Sequence, residues 1–487
     1  MKTRILIVLL TLCCLLTPLS VFASDAGVLA ETSAAVSSFK DGLPAAGTVL
    51  TEPKVVVEYD RDAQETPDDL PVIGCKAAFV ADPVSGKVFY EKHARKKMYP
   101  ASTTKLLTAL LVLENCDLDD VAVVSRRAVG LVPDGYVRAN LQPGERLSVR
   151  VLLQALLIPS ANDAAFVLAE HVGGSVAGFA KLCNRRAKEL GCEKLHFVNP
   201  NGIHDDDHYC TAYDLYLIAA ECQKHDAFNE IVQMKRVTLP ATDVYRSADR
   251  TFQNTNQLMN AEATSYYVAG CTGMKTGYTP EAGQCMVASC DERGLSLISV
   301  VLGGTVKQNG LNERFTDSKA LLDYVNLNYE LQTFAEANAV LRQMEVKKAT
   351  KDTALLDVIV PAEIRCVAPN ALTAENVPVE IDLPAELKAP IKQNQVLGTV
   401  TYSVDGFCLA ANLIASHEVV KKPYWLYNLL VILAVVLLLL IARFVLKKRE
   451  EERLRQELLR RRRQQQLRQR RQAQGQPSNG QDYRLKR

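Results

Sequence analysis

The chain has 487 residues, which is longer than a domain with a single hydrophobic core usually is. We therefore expect two folded domains with appended segments. Hydrophobic residues make up 48% of it, which excludes a chain that is disordered throughout. The net charge of +2 hides an asymmetry, because the segment from Arg443 onward holds sixteen Lys and Arg but five acidic residues. The rest of the chain is therefore acidic, and the basic end must suit either a membrane surface or a nucleic acid.

The first residues have the pattern of a secretion signal. Two basic residues precede the apolar run from Ile5 to Leu16, and small residues around Ala23 suit cleavage there. We predict a signal peptide over residues 1–23, with a retained N-terminal anchor as the alternative. Residues 24–65 are rich in small, acidic and Pro residues without periodicity, which predicts a flexible spacer.

Residues 66–335 alternate between strand and helix patterns. Short apolar runs joined by turn residues predict a β-hairpin near each end of this segment. Between them, the run from Ser102 to Glu114 is apolar nearly all round, which is typical of a helix buried at the centre of a domain. The order predicts an α+β domain, an antiparallel sheet packed with helices and carrying a helical lobe. The predicted strands are 77–81, 87–91, 284–290 and 295–302, and the predicted helices are 102–114, 149–158, 163–172, 179–190 and 316–329.

The C-terminal part changes character twice. Residues 340–418 carry short apolar runs separated by Pro, Asn and Gly, which predicts a small all-β domain. Residues 424–442 contain no charged residue, and as a helix this segment is long enough to cross a membrane core about 30 Å thick. A buried core helix is the alternative. Because basic residues follow, we predict a single-pass helix in the cell membrane, with residues 443–487 in the cytoplasm and the part before Tyr424 outside. Such a tail suits anionic lipid, and we expect no nucleic-acid partner.

Metal and cofactor patterns are weak in this sequence. Thirteen cysteines are present, but no C-x-x-C pair occurs, so a zinc knuckle or a redox motif is not indicated. The stretch from His204 to His208 holds two His and three Asp, and a metal site there is the alternative we weigh. Adjacent Asp residues cannot all face one ion, so we interpret the stretch as a polar loop. We predict no metal and no cofactor.

A possible nucleophile and its base lie at the start of the central helix. Ser102 and Lys105 are three residues apart, so they share one face of a helix. A serine hydroxyl needs a base to take its proton, and a Lys at the buried start of a helix has a lowered pKa and can act as one. The N–H of Ser102 is also free to bind an oxyanion. The spacing alone is weak, because Ser37 and Lys40 repeat it in the predicted spacer.

Two further motifs carry side chains suited to proton transfer and to binding a peptide substrate. Ser160 and Asn162 follow Pro159 in a break between two predicted helices, where Ser can pass protons and Asn can bind a peptide. Read alone, both would be helix caps. The segment from Lys275 to Gly277, Lys-Thr-Gly, precedes a predicted hairpin. There a Gly lets a substrate backbone approach the strand, and Lys and Thr suit a terminal carboxylate.

Together these motifs are the S-x-x-K, S-x-N and K-T-G set of serine β-lactamases and penicillin-binding proteins. The wider sequence resembles one branch, the low-molecular-mass D-alanyl-D-alanine carboxypeptidases, over about residues 65–330. The predicted β-domain and C-terminal anchor also fit that family's layout. Asn201 departs from it, because many members carry a His there. The segments with the closest resemblance are Pro100–Lys105, Ser160–Asp163, Gly273–Gly283 and Leu297–Gly303.

The resemblance implies a β-lactamase/transpeptidase-like fold and a hydrolase that removes the terminal D-alanine from peptidoglycan pentapeptide stems through an acyl-enzyme. It implies stem peptides ending in D-Ala-D-Ala as substrate and β-lactam antibiotics as inhibitors. The alternatives are a β-lactamase, for which no Glu-x-x-Leu-Asn motif is found, a penicillin-sensing receptor, for which the tail is too simple, and an endopeptidase variant. The implied catalytic residues are Ser102, Lys105 and Ser160, and the implied substrate-binding residues are Asn162, Lys275, Thr276, Gly277, Tyr278 and Arg314.

Overall fold

The computed structural model describes residues 56–59, 70–263, 265–473 and 475. The predicted signal peptide and most of the predicted spacer lie outside the described residues. The α-helices in chain order are α1 Lys105–Asn115, α2 Arg126–Gly130, α3 Val149–Leu157, α4 Asn162–Gly173, α5 Val176–Glu189, α6 Ala212–Cys222, α7 Asp226–Val232, α8 Glu313–Asn328 and α9 Trp425–Ala473.

The strands in chain order are β1 Val56–Tyr59, β2 Ala77–Ala81, β3 Val88–Lys92, β4 Val121–Val123, β5 Arg146–Ser148, β6 Arg236–Thr238, β7 Thr251–Gln253, β8 Cys271–Thr279, β9 Gly283–Glu292, β10 Leu295–Gly304, β11 Tyr329–Ala335, β12 Val340–Lys347, β13 Leu355–Ile359, β14 Ile364–Pro369, β15 Val379–Asp382, β16 Leu387–Lys388, β17 Val396–Val404 and β18 Phe407–Ala415.

The catalytic part is built on a five-stranded antiparallel sheet in the order β3-β2-β10-β9-β8. Successive side chains of β2 lie on opposite faces of the sheet and belong to two hydrophobic cores. Phe79 packs against α1 and α6, whereas Val80 packs on the face covered by α8. The sheet is therefore covered on both faces, and its edge strand β8 carries the Lys-Thr-Gly segment. The predicted α+β catalytic fold is confirmed.

Local sequence signals set the ends of the helices that frame the site. The Ser148 hydroxyl accepts a hydrogen bond from the N–H of Val151 and so caps α3. At the start of α6, Thr211 and Asp214 form a reciprocal capping box. Helix α4 ends at Gly174 with φ of +66°, a conformation that glycine adopts at little cost.

A second sheet forms the small all-β domain, which confirms that prediction. Its strands β17 and β18 are a hairpin, and β13 pairs with only the last residues of β18, Ile414 and Ala415. Strand β1 occupies the edge left free, with Val56 opposite Ala410. The prediction of an unstructured spacer is therefore wrong for Val56–Tyr59, where successive β-branched residues suit an added edge strand. The pair β11 and β14 was not predicted.

The C-terminal helix α9 is one continuous element of 49 residues, about 73 Å long at 1.5 Å per residue. Its first part is long and apolar enough to cross a membrane. A helix crosses a bilayer core in about 30 Å, so roughly 40 Å of this helix, rich in charged residues, is in excess of the length that a crossing requires.

Candidate active site

Ser102 lies in a 3₁₀ turn, Ala101–Thr104, directly before α1. The expectation that Ser102 begins the α-helix is corrected, because the tighter turn places it one turn earlier. Ala101 has φ of +49°, a strained conformation for a residue with a side chain. The turn is held by Thr103, whose hydroxyl donates to Pro100 O over 2.7 Å. Ser102 is partly exposed while its neighbours are buried, so its hydroxyl faces the cleft.

The amine of Lys105 lies at the centre of the site, within hydrogen-bond distance of two hydroxyl groups and one amide oxygen. Its Nζ lies 3.0 Å from Ser102 Oγ, 3.2 Å from Ser160 Oγ and 2.9 Å from Asn162 Oδ1. Burial lowers the pKa of Lys105 to about 7, and the charge of Asp163 opposes that shift only in part. A neutral amine has one lone pair and two N–H groups, so it can accept a proton from one partner and donate to the other two.

The second motif lies in the loop between α3 and α4. Ser160 has φ of +66°, which turns its hydroxyl toward Lys105. Asn162 begins α4, and its Nδ2 donates to Val137 O over 2.9 Å. Asp163 is fully buried, and its two carboxylate oxygens accept from the N–H groups of Ala139 and Leu141. These bonds fix the wall of the cleft opposite β8.

Strand β8 passes close to the Ala101–Thr104 turn at Gly277. A Cβ on Gly277 would lie 2.9 Å from Ser102 N, so any larger residue would collide with that backbone N–H. Gly277 is therefore required by the protein's own packing. Tyr278 follows at the rim of the cleft with 55% of its surface exposed.

Three basic side chains, Lys105, Lys275 and Arg314, lie close together at this strand. Burial lowers the pKa of Lys275 far below its usual value, and the charges of Lys105 and Arg314 lower it further. Arg314 donates from Nη1 to Gly277 O over 3.2 Å, and its buried Nε has no partner among the described residues. Thr276 shares a 2.7 Å hydroxyl bond with Thr255, a residue that the sequence did not indicate. Because buried cations without anions are costly, this region suits a bound carboxylate.

His208 is a supporting residue that sequence reasoning missed. It is buried, and its ring stacks on Phe197 with centroids 4.4 Å apart. Its Nδ1 accepts from Val198 N, so its Nε2 carries the proton and bonds Thr104 Oγ1 over 2.8 Å. Thr104 in turn donates to Ala101 O. His208 therefore supports the strained turn at Ala101. Both of its ring nitrogens are hydrogen-bonded within the protein, so neither is free for the metal site that we weighed as an alternative.

We predict that replacing His208 by Phe lowers stability in a pH-dependent way. At pH 7.5 the loss is about 2 kcal/mol or more, because Val198 N–H and Thr104 lose buried partners. Burial lowers the pKa of His208 to about 3, against about 6.5 in an unfolded chain. The stability that neutral His208 contributes is therefore present above pH 6.5 and is lost as the pH falls toward 3.

Urea denaturation of both proteins at pH 7.5 and pH 5 checks this prediction. The difference in free energy of unfolding should shrink by about 2 kcal/mol between these pH values. The exposed His196, in the same loop, provides the control His196→Gln. A difference that is equal at both pH values would contradict the assigned protonation state.

Comparisons with known proteins identify the family. Residues 63–306 match the family model described as D-alanyl-D-alanine carboxypeptidase, and residues 329–422 match the C-terminal domain of penicillin-binding protein 5. The D-alanyl-D-alanine carboxypeptidase DacF of Bacillus subtilis is 31% identical over 355 residues, which is 71% of this chain and 86% of DacF. The crystal structure of penicillin-binding protein 5 from Haemophilus influenzae is 26% identical, with a TM-score of 0.54 over 73% of this chain and all of that one.

The fold and the Ser-Lys site define a serine hydrolase of the penicillin-binding class. Within that class, the chain belongs to the D-alanyl-D-alanine carboxypeptidase family, as its motifs predicted. It spans most of the length of the relatives compared.

Proposed function

We propose that this protein removes the terminal D-alanine from peptidoglycan stem peptides, with Ser102 as nucleophile and Lys105 as base. The observation that carries the proposal is the convergence of Ser102 Oγ, Ser160 Oγ and Asn162 Oδ1 within 3.2 Å of one buried amine. Burial leaves that amine with a pKa of about 7, so much of it is neutral at physiological pH. A base with a pKa near the operating pH is the most effective.

The acylation step follows from these distances. Ser102 Oγ attacks the carbonyl of the penultimate D-Ala while Lys105 Nζ takes its proton. The negative oxygen of the tetrahedral intermediate rests on the N–H groups of Ser102 and Tyr278, where water is excluded and such bonds are strong. Ser160, 3.2 Å from the same amine, passes the proton to the departing D-alanine nitrogen. Water then hydrolyses the acyl-enzyme by the same route in reverse.

The carboxylate of the departing residue identifies the substrate class. Arg314 supplies a buried guanidinium, Lys275 lies close enough for that charge to lower its pKa, and Thr276 offers a hydroxyl on the same strand. A bound carboxylate would favour the charged form of Lys275. Asn162 and Gly277 line the approach of the peptide backbone on either side. A free C-terminal carboxylate supplies the anion that the buried guanidinium lacks. We therefore favour carboxypeptidase action on peptide ends over endopeptidase action within cross-links.

The fate of the acyl group distinguishes a peptidase from a β-lactamase. Fast release of a penicilloyl group needs a base positioned on the attacking water, worth about 10²–10⁴-fold. Asp163 is close to Lys105, but both its oxygens are bonded to backbone N–H groups. A penicillin leaving group also stays tethered and obstructs the water. The penicilloyl adduct should therefore be long-lived, whereas a peptide acyl group turns over.

Full-length protein in detergent tests this function with two substrates. We expect repeated release of D-alanine from a pentapeptide ending in D-Ala-D-Ala, and one equivalent of stable adduct with penicillin. Many turnovers of penicillin per second without D-alanine release would contradict the proposal and favour a β-lactamase.

We also propose that α9 anchors the enzyme in the cell membrane with its catalytic part outside. Uncharged residues fill 424–442; Lys421 and Lys422 precede them, but the sixteen Lys and Arg after Ala442 far outnumber those two. In intact cells, added protease should therefore digest the catalytic part and spare an epitope tag placed after Arg487. The matched control is the same strain after permeabilisation, in which the tag should be lost. A tag digested in intact cells would contradict this topology.

A further inference from the structure

Three side chains with metal-binding chemistry meet at the end of the catalytic helices remote from Ser102. Cys116 follows the last residue of α1, His171 lies in the last turn of α4, and Asp120 lies just before β4. Their Sγ, imidazole nitrogen and carboxylate oxygen all lie within 4.8 Å of one another. The prediction of no metal rested on the lack of a C-x-x-C pair and on the polar stretch from His204 to His208, so it did not address these three residues.

The donor atoms are available for a ligand. One carboxylate oxygen of Asp120 accepts a hydrogen bond from Asp117 N over 3.0 Å. This bond orients the carboxylate and leaves its other oxygen available to bind an ion. Among the described residues, no hydrogen bond occupies Cys116 Sγ or the ring of His171, and no Lys or Arg pairs with Asp120 within 4.0 Å.

We propose that Cys116, Asp120 and His171 form a zinc-binding site. Thiolate, imidazole and carboxylate are all ligands that Zn²⁺ accepts, at about 2.0–2.3 Å, whereas Ca²⁺ and Mg²⁺ prefer oxygen alone. Tetrahedral ligation needs donors about 3.5 Å apart. Small rotations of the side chains bring the three donors to that spacing, because Asp120 and His171 are exposed and Cys116 is half-buried. Water fills the fourth position.

The position of the site indicates what zinc does there. Helix α1 begins at Lys105 and helix α4 begins at Asn162, so both start in the catalytic cleft and both end at this site. Helix α1 has 11 residues, about 16 Å at 1.5 Å per residue, so the ion is too far away to touch the reacting atoms. Zinc clamps the distal ends of the two helices that carry the base and its amide partner. Its effect is on stability.

Cobalt(II) is the direct probe, because a thiolate ligand gives Co²⁺ a near-ultraviolet charge-transfer band that oxygen and nitrogen ligands do not. Full-length reduced protein in detergent should bind one equivalent of Co²⁺ with this band, and Zn²⁺ should displace it. Cys116→Ser should lose the band, and His171→Gln should bind at least about tenfold more weakly. The control is Cys192→Ser, which removes another half-buried thiol and should keep the band.

Thermal unfolding provides a second readout. Zinc at roughly 100 times its Kd should raise Tm by about 5 °C or more in the parent protein and leave Cys116→Ser unchanged. Labelling of Ser102 by a fluorescent penicillin verifies that each variant is folded. No charge-transfer band in the parent protein, or the same band in Cys116→Ser, would overturn the proposal.

Discussion

Replacing Ser102 by Ala should abolish covalent labelling by a fluorescent penicillin and lower D-alanine release by about 10³-fold or more. The Ser102 hydroxyl, 3.0 Å from Lys105 Nζ, is the group that forms the acyl bond. The other hydroxyl beside that amine belongs to Ser160, which is buried, whereas Ser102 is partly exposed. Gel fluorescence and a D-alanine assay measure the two effects.

The matched control is Ser37→Ala, because Ser37 and Lys40 repeat the spacing of Ser102 and Lys105. It should label like the parent protein. Labelling that persists in Ser102→Ala, or is lost in Ser37→Ala, would contradict the assignment of the nucleophile.

Removal of the base should have an effect of similar size. We expect Lys105→Met to acylate about 10²–10⁴-fold more slowly, the usual contribution of a positioned base. The exposed Lys181 on α5 provides the control Lys181→Met, which should be unaffected.

The pH profile tests the same role without a mutation. Because burial lowers the pKa of Lys105 to about 7, the amine becomes protonated as the pH falls below that value and can no longer accept the serine proton. The rate of acylation should fall about tenfold per pH unit between pH 6 and 5 and level off above about pH 8. A rate that is constant from pH 5 to 8 would argue against a neutral lysine base.

The motifs of the sequence identified most of the groups that meet in the cleft. Ser102 and Lys105 were predicted to share a face, and Nζ does lie beside Oγ. Arg314, suggested by resemblance alone, bonds the carbonyl of Gly277. Roles for these residues remain proposals, but short spacing and strong residue preferences made their proximity predictable.

The supporting contacts could not be predicted, because they join distant parts of the chain. His208 bonds Thr104 across 104 residues, and Thr255 meets Thr276 from a loop without periodicity. A histidine in a polar stretch gives no signal that it will be buried. The strand Val56–Tyr59 was missed for a similar reason, since four residues become a strand only when a partner edge is free.

Local backbone geometry was also beyond sequence reasoning. The 3₁₀ turn at Ala101–Thr104 and the positive φ of Ser160 place side chains where a regular helix start would not. Tertiary contacts hold both conformations. One of them is the close contact between Gly202 and the 3₁₀ turn, where a Cβ on Gly202 would lie 1.8 Å from Ala101 O. Patterns of apolar residues contain no information on such turns.

The acyl-enzyme at Ser102 is the central claim, and mass spectrometry tests it most directly. The enzyme is mixed with a pentapeptide ending in D-Ala-D-Ala, quenched in acid within the first turnovers, digested and mapped. The account predicts that the peptide containing Ser102 gains the mass of the substrate acyl group without its terminal D-alanine. Release of D-alanine with that group on another residue, or with no covalent adduct at any quench time, would contradict it.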